Sequence, residues 1–172
     1  MRNLLLSIMT CICIVSSGCI MSNPLNIYHT FNNPLDNYSL QYPSDWKFDS
    51  SNTTVYLTND GAEVKIQSEL IAPNTTLDDF VRQEVTDINN SSTTYFKVGR
   101  ISQSDITFKG LPTIIVKYSM YGINDNYKMN YQSWYFIRGD RLYVVDYKER
   151  GDYFTDFYPA VQKILDSLTF NT

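Results

Sequence analysis

The sequence predicts an α+β fold, layered on a mainly antiparallel sheet. Three observations predict it. Strand-like segments joined by short turns fill most of Tyr38 to Lys148, and short turns favour antiparallel pairing. Two segments carry instead the helical repeat of apolar residues, one through Leu77, Phe80, Val81, Val85 and Ile88, the other through Phe154, Phe157, Val161, Ile164, Leu165 and Leu168. The strongest strands are apolar on both sides: Tyr131, Tyr135 and Ile137 fall on one face of a strand and Trp134 and Phe136 on the other, as expected of a sheet covered on both sides.

The elements follow in chain order. Tyr38 to Phe48 opens as an alternating strand and breaks at Pro43-Ser44-Asp45. Thr53–Leu57 and Glu63–Ile71 read as two strands around Asn59-Asp60-Gly61, and Asp-Gly between β-rich segments is a strong hairpin signal. Thr76 is placed to cap the first helix, with Asp78 and Asp79 at the positive end of its dipole. Tyr95–Ser102 and Asp105–Phe108 are weak strand segments, while Leu111–Tyr121, Tyr127–Ile137 and Arg141–Lys148 are strong ones. Gly139, inside Arg138-Gly139-Asp140-Arg141, suits the positive φ of a type II′ turn. Pro159 fits the last helix only within its first turn.

The N-terminus reads as an address. Met1 and Arg2 precede an apolar run from Leu4 to Val15 that ends in Ser16, Ser17 and Gly18, the pattern of a secretory signal over residues 1–18 and too short to span a bilayer. Cys19 follows directly, as in a lipobox, and becomes the only cysteine of the mature chain once Cys11 and Cys13 leave with the signal. We therefore expect lipidation at Cys19, a flexible asparagine-rich tether over residues 19–37 with a mean span of about 20–25 Å, and one domain over residues 38–172. The expected location is the extracytoplasmic face of a cell membrane, with more than one acyl chain holding the protein there.

The opening strand YSLQYPSDW, the capped helix TLDDFVRQEV, the strand pair QSWYFIRGDRLYVVDYKE and the closing helix YPAVQKILDSLTF resemble the PsbP family, whose related domains occur as lipoproteins in bacteria and methanogenic archaea. The resemblance spans Tyr38 to Phe170 and implies an α/β/α sandwich around a twisted antiparallel sheet. It does not carry an activity, because relatives with this fold bind different partners. Family members of photosystems are linked to calcium and manganese, in part through histidines. The only histidine here, His29, falls in the expected tether, so no metal residue is carried over and no cofactor is expected.

Composition narrows the function classes. The chain of 172 residues is 43% apolar and 15% aromatic, with 14 Tyr and 9 Phe, which argues for a packed domain. Its net charge of −4 and lack of any basic run argue against nucleic acid. One histidine outside the domain leaves no Ser-His-Asp or Cys-His set and no His/Cys metal site within it. Only carboxylate chemistry or an oxygen-ligand calcium site stays open. The acidic candidates are Asp78, Asp79 and Glu84 at the first helix and Asn124-Asp125-Asn126 at a turn, and neither group has the spacing of a calcium loop. Arg-Gly-Asp at 138–140 and 150–152 reads as turn chemistry rather than adhesion.

Asn37, Asn52, Asn74, Asn89 and Asn90 begin Asn-x-Ser/Thr sequons in expected loops and element ends, where an exported protein can carry glycan. Tyrosines crowd the central strands, and any left exposed as a patch would mark a partner or carbohydrate surface, with Tyr127, Tyr131 and Tyr135 as the candidates for a partner surface. The leading expectation is a non-enzymatic, membrane-tethered binding or accessory domain with a protein partner. The alternative is a small-ligand or calcium receptor, which requires a tyrosine-lined pocket with convergent carboxylates. A carboxylate-based enzyme would need two carboxylates facing each other across a cleft.

Overall fold

A computed structural model describes residues 27–123, 127–151 and 156–170. Residues 1–26, with Cys19, lie outside the described residues, as do Asn124-Asp125-Asn126, the second Arg-Gly-Asp from Asp152 onward, and Phe154.

Eight strands make one antiparallel sheet. They are β3 (Lys47–Ser51), β4 (Thr54–Asn59), β5 (Ala62–Leu70), β6 (Phe96–Val98), β7 (Ser102–Phe108), β8 (Leu111–Gly122), β9 (Lys128–Arg138) and β10 (Arg141–Arg150). Their spatial order is β3-β4-β5-β10-β9-β8-β6, with β7 also pairing to β8. Short turns dictate this order. Asp60 and Gly61 both take positive φ (39° and 92°) between the paired Asn59 and Ala62, the backbone of a type I′ hairpin. Lys109 and Gly110 repeat the device at 53° and 79° between β7 and β8. Gly139 alone is positive in the β9–β10 turn, at 64°, as a type II′ turn requires.

The sheet is covered on both faces, as the two-sided apolar strands foretell. On one face, helix α2 (Tyr158–Ser167) and a small sheet of β1 (Tyr28–Asn33), β2 (Tyr38–Pro43) and β11 (Thr169–Phe170) close over Trp134, Phe136, Val145 and Tyr147. Pro159 sits in the first turn of α2. On the other face, α1 (Leu77–Asn90) packs Phe80, Val81, Val85 and Ile88 on Ile114, Tyr135 and Val144. Thr76 caps α1, its hydroxyl accepting from the Asp79 amide at 3.1 Å.

The tether expectation needs correction. Residues 28–33 are not a coil but strand β1, paired antiparallel with β2 from Tyr28↔Pro43 to Asn33↔Tyr38. The alternation that marks a strand is faint there because a polar side chain occupies an inward position: Asn33 is buried, and its Oδ1 accepts from the amides of Leu35 and Asp36 to build the turn. Phe31 supplies the apolar contact, against Tyr38 and Phe48. Asp36 then pairs with Arg141 at 2.9 Å, and the Asp36 carbonyl accepts from the Tyr143 hydroxyl. The folded unit therefore includes β1, and His29 belongs to it, with its ring against Tyr42.

Candidate functional site

Alternation along four strands brings the site together. Glu63, Lys65 and Gln67 of β5, Val144, Asp146 and Lys148 of β10, Tyr131, Ser133 and Tyr135 of β9, and Tyr118 of β8 occupy every second position. They therefore share the face that α1 covers. Register aligns them in rows: Glu63, Lys148, Tyr131 and Tyr118 stand side by side, then Lys65, Asp146 and Ser133, then Gln67, Val144 and Tyr135. Helix α1 lies over β8 and β9, and its Phe80, Glu84 and Ile88, four residues apart, form the opposite wall. Between helix and strands lies a cleft of about 280 Å³.

The electrostatics of the cleft are mixed. Lys148 and Glu63 pair at 2.9 Å. Asp146 and Glu84 form no ion pair among the described residues. Loss of water on burial pushes the Asp146 carboxyl above the usual carboxylate range, while a hydrogen bond from Ser133 and the charge of Lys65 offset part of the effect. Glu84 is pushed up by burial first and by the charge of Asp146 second. Tyr118 and Tyr131 stack at 4.6 Å with nearly parallel rings, a tyrosine pair at the cleft rim. Burial also raises both hydroxyls, so they stay protonated donors at neutral pH.

The expected partner surface, Tyr127, Tyr131 and Tyr135, divides into three environments. Tyr127 is 37% exposed, beside Phe96. Tyr131 lines the cleft. Tyr135 is 3% exposed and packs under Phe80, so it cannot face a partner directly; the cover comes from α1, some fifty residues earlier in the chain, and the strand pattern gave no sign of where it would lie. All five sequon asparagines are exposed. Asn37, Asn52 and Asn74 adopt positive φ of 52°, 50° and 69°, left-handed turn positions that asparagine tolerates well, so the turns alone account for those three residues. Asp78 and Asp79 stay at the α1 N-terminus, where the Thr76 hydroxyl holds Asp79 below the usual carboxylate range. Glu84, two turns inward, reaches the cleft.

Arg138-Gly139-Asp140 is a structural corner. Arg138 stacks over Phe170 at 5.1 Å, and the Asp140 carbonyl accepts from the Ile71 amide. Sequence reasoning passed over Glu63, Lys65, Asp146 and Lys148. Charged residues two apart in two strongly β segments were the available signal, since such spacing places charge on one face of a sheet. Glu149 was missed as well: it is 1% exposed on the opposite face, bonded to the Tyr147 hydroxyl, with burial raising its carboxyl above the usual range.

No known family model matches the chain, and no curated protein matches its sequence. Solved structures do match. Cyanobacterial PsbP (CyanoP) from Synechocystis sp. superposes with a TM-score of 0.66 at 14% identity, covering 90% of this chain and 98% of its own. LpqN of Mycobacterium tuberculosis, described as involved in cell envelope biogenesis, gives 0.58 at 10% identity, with 85% and 91% covered. The Ran-binding protein Mog1p of Saccharomyces cerevisiae gives 0.55 at 6% identity, with 84% and 95% covered. The fold is therefore PsbP-like, an α+β sandwich around an antiparallel sheet. At these identities the likeness defines the fold and nothing finer.

Proposed function

We propose that this protein is a lipid-anchored, extracytoplasmic binding domain that acts without catalysis and holds its ligand in the cleft beneath α1. The cleft itself carries the reading. It combines cations (Lys65, Lys148), carboxylates without ion pairs among the described residues (Glu84, Asp146) and a stacked tyrosine pair in one concavity. A compact ligand bearing both an amino group and an acidic or hydroxyl group matches that set. Cys19 supplies the anchor, and no helix among the described residues is long and apolar enough to cross a membrane.

The non-catalytic part rests on what surrounds the carboxylates. The chain's one histidine is in β1, whose sheet covers the other face, and Ser133 at the cleft floor bonds to Asp146 with no neutral base beside it. Glu84 and Asp146 do stand on opposite walls, the arrangement a carboxylate-based enzyme would use. A binding domain returns its ligand unchanged, whereas such an enzyme converts it and loses conversion in Glu84→Gln.

Thermal-shift screening of full-length protein with small amino acids, amines and polyols tests the site. Binding compounds should raise Tm in the wild type and fail to do so in Asp146→Asn and Tyr131→Ala. Compounds that stabilise wild type and both variants equally would place the ligand elsewhere. A partner-binding accessory role is the second reading, favoured by the same face where it runs uncovered over β4 and β3, past the half-exposed Tyr56. Cross-linking in native membranes, with mass spectrometry of the Cys19 peptide, reads that partner and the anchor together.

A further inference from the structure

We infer that Asn52, at the tip of the β3–β4 hairpin, is the sequon that the folded domain presents for N-linked glycosylation, an inference that rests on the extracytoplasmic location proposed above. All five sequon asparagines reach solvent, so exposure of the acceptor does not separate them. The residue two places on does. N-linked transfer reads a sequon through its Ser or Thr hydroxyl as well as its asparagine, and that hydroxyl must be free to be read. The Asn37 sequon ends at Ser39, whose Oγ shares a hydrogen bond of 2.7 Å with the Thr169 hydroxyl, and its middle residue, Tyr38, is fully buried in β2. The Asn74 sequon ends at Thr76, whose hydroxyl accepts from the Asp79 amide and donates to the Asp79 carboxylate as the cap of α1. Asn89 and Asn90 are the last two residues of α1. Their hydroxyls are those of Ser91, which donates to the Ile88 carbonyl at 2.7 Å, and Ser92, which accepts from the Val98 amide at 3.1 Å.

Asn52-Thr53-Thr54 is built differently. Its hydroxyl belongs to Thr54, half-buried at the start of β4; it makes no hydrogen bond among the described residues and is not sealed from water. Ser51 and Thr54 are the closing pair of the hairpin, and β3 is an edge strand whose five residues are all exposed. Beyond strand pairing, one further backbone bond holds the tripeptide, from the Ser68 amide to the Thr53 carbonyl at 3.2 Å. An edge hairpin opens without disturbing the core, so the local extension that a transferase demands costs little here. The left-handed φ of 50° explains an asparagine at position 52, but not the free hydroxyl two residues later. The chemistry is a substitution. The Asn52 side-chain nitrogen attacks the anomeric carbon of a saccharide carried on a lipid diphosphate. A carbon–nitrogen bond forms, the carbon–oxygen bond to the diphosphate breaks, the lipid diphosphate leaves, and the amide gives up one proton to the medium. The glycan then stands at the free edge of the sheet, where its bulk blocks pairing of β3 with another chain.

The test compares the folded chain with its own peptides. Full-length protein and synthetic peptides spanning each sequon are incubated with a purified oligosaccharyltransferase and its lipid-diphosphate-linked oligosaccharide. Occupancy is read by mass spectrometry of the glycopeptides. All the peptides should accept. In the folded chain Asn52 should be occupied on the order of tenfold more than any other sequon, the factor expected where a hydrogen bond and local structure must first open. Thr54→Val should abolish transfer to Asn52, and Thr54→Ser should retain it. Transfer to Asn37, Asn74, Asn89 or Asn90 equal to that at Asn52 overturns the inference, as does a folded chain that refuses transfer at Asn52 while its peptide accepts. Protein purified from native membranes should carry glycan at Asn52, and a bare Asn52 there overturns the inference too. The N-terminal peptide of that digest separates the two readings. A lipidated Cys19 leaves the location standing, whereas uncleaved residues 1–18 overturn the location and the inference together.

Discussion

The two faces of the central sheet are built from the same strands and do opposite things. Beneath α2 and the small sheet, Trp134, Phe136, Tyr143, Val145 and Tyr147 are all buried, and two layers of cover seal them. Beneath α1, the alternate residues of those strands run from apolar Ile114 and Val144 to charged Asp146 and Lys148, and a single helix leaves the charged part in an open cleft. The contrast teaches that one β9–β10 pair divides its work by parity: Trp134 and Phe136 of β9 lie in the sealed core, while the odd-numbered positions lie under α1, Tyr131 and Ser133 lining the cleft and Tyr135 packed beneath Phe80.

The largest break of that contrast should come from the sealed face. Phe136→Ala removes a fully buried ring stacked on Tyr143, and should cost about 3–5 kcal/mol in denaturant unfolding, with an unchanged m value. Tyr131→Ala, five residues earlier in β9 and on the cleft side, should cost far less while abolishing ligand-dependent stabilisation. Next in size is Arg141→Met. It leaves the buried Asp36 carboxylate without its cation, with Asn33 the remaining side-chain donor among the described residues, and should cost about 3 kcal/mol, loosening β1 first. Hydrogen exchange should locate that loss at residues 28–37.

A smaller effect tests the α1 side. Thr76→Ala deletes the cap and should cost about 1 kcal/mol, and binding in the cleft should weaken because the helix wall frays. Smallest, and opposite in sign, is Asp146→Asn. Burial raises the folded-state affinity of Asp146 for its proton above the unfolded value. The folded state therefore holds more protons between the two values, and stability falls as pH rises through that window. Glu84, Glu63, Lys65 and Lys148 face the same carboxylate and shape the window's width. Asp146→Asn should flatten this fall and be more stable than wild type at neutral pH, though unable to bind ligand. Unfolding curves at pH 4 and 7 would reveal it, and a variant less stable at both would sink the assignment of Asp146 as a binding rather than a structural group.

Legibility differed in the same way between the two faces. Long strands, the Asp60-Gly61 and Gly139 turns, the Thr76 cap and both helices could be read because each depends on neighbours within a few residues. The cleft could not, because Lys65, Asp146, Ser133 and Glu84 come from four elements spread between positions 65 and 146; only register sets the first three in one row, and only the packing of α1 brings Glu84 opposite them. β1 escaped notice because its inward Asn33 is satisfied by a turn rather than by apolar packing.

By itself, the sequence determined the fold class, the hairpin turns at Asp60-Gly61 and Gly139, and the helix boundaries near Thr76 and Pro159. Those are local matters of backbone preference, side-chain period and covalent order. Tertiary structure alone decided which face of β9 would be sealed and which tyrosines would reach solvent. Such facts depend on which layers land on which side of the sheet, and chain segments far apart in sequence settle that through the total surface they bury.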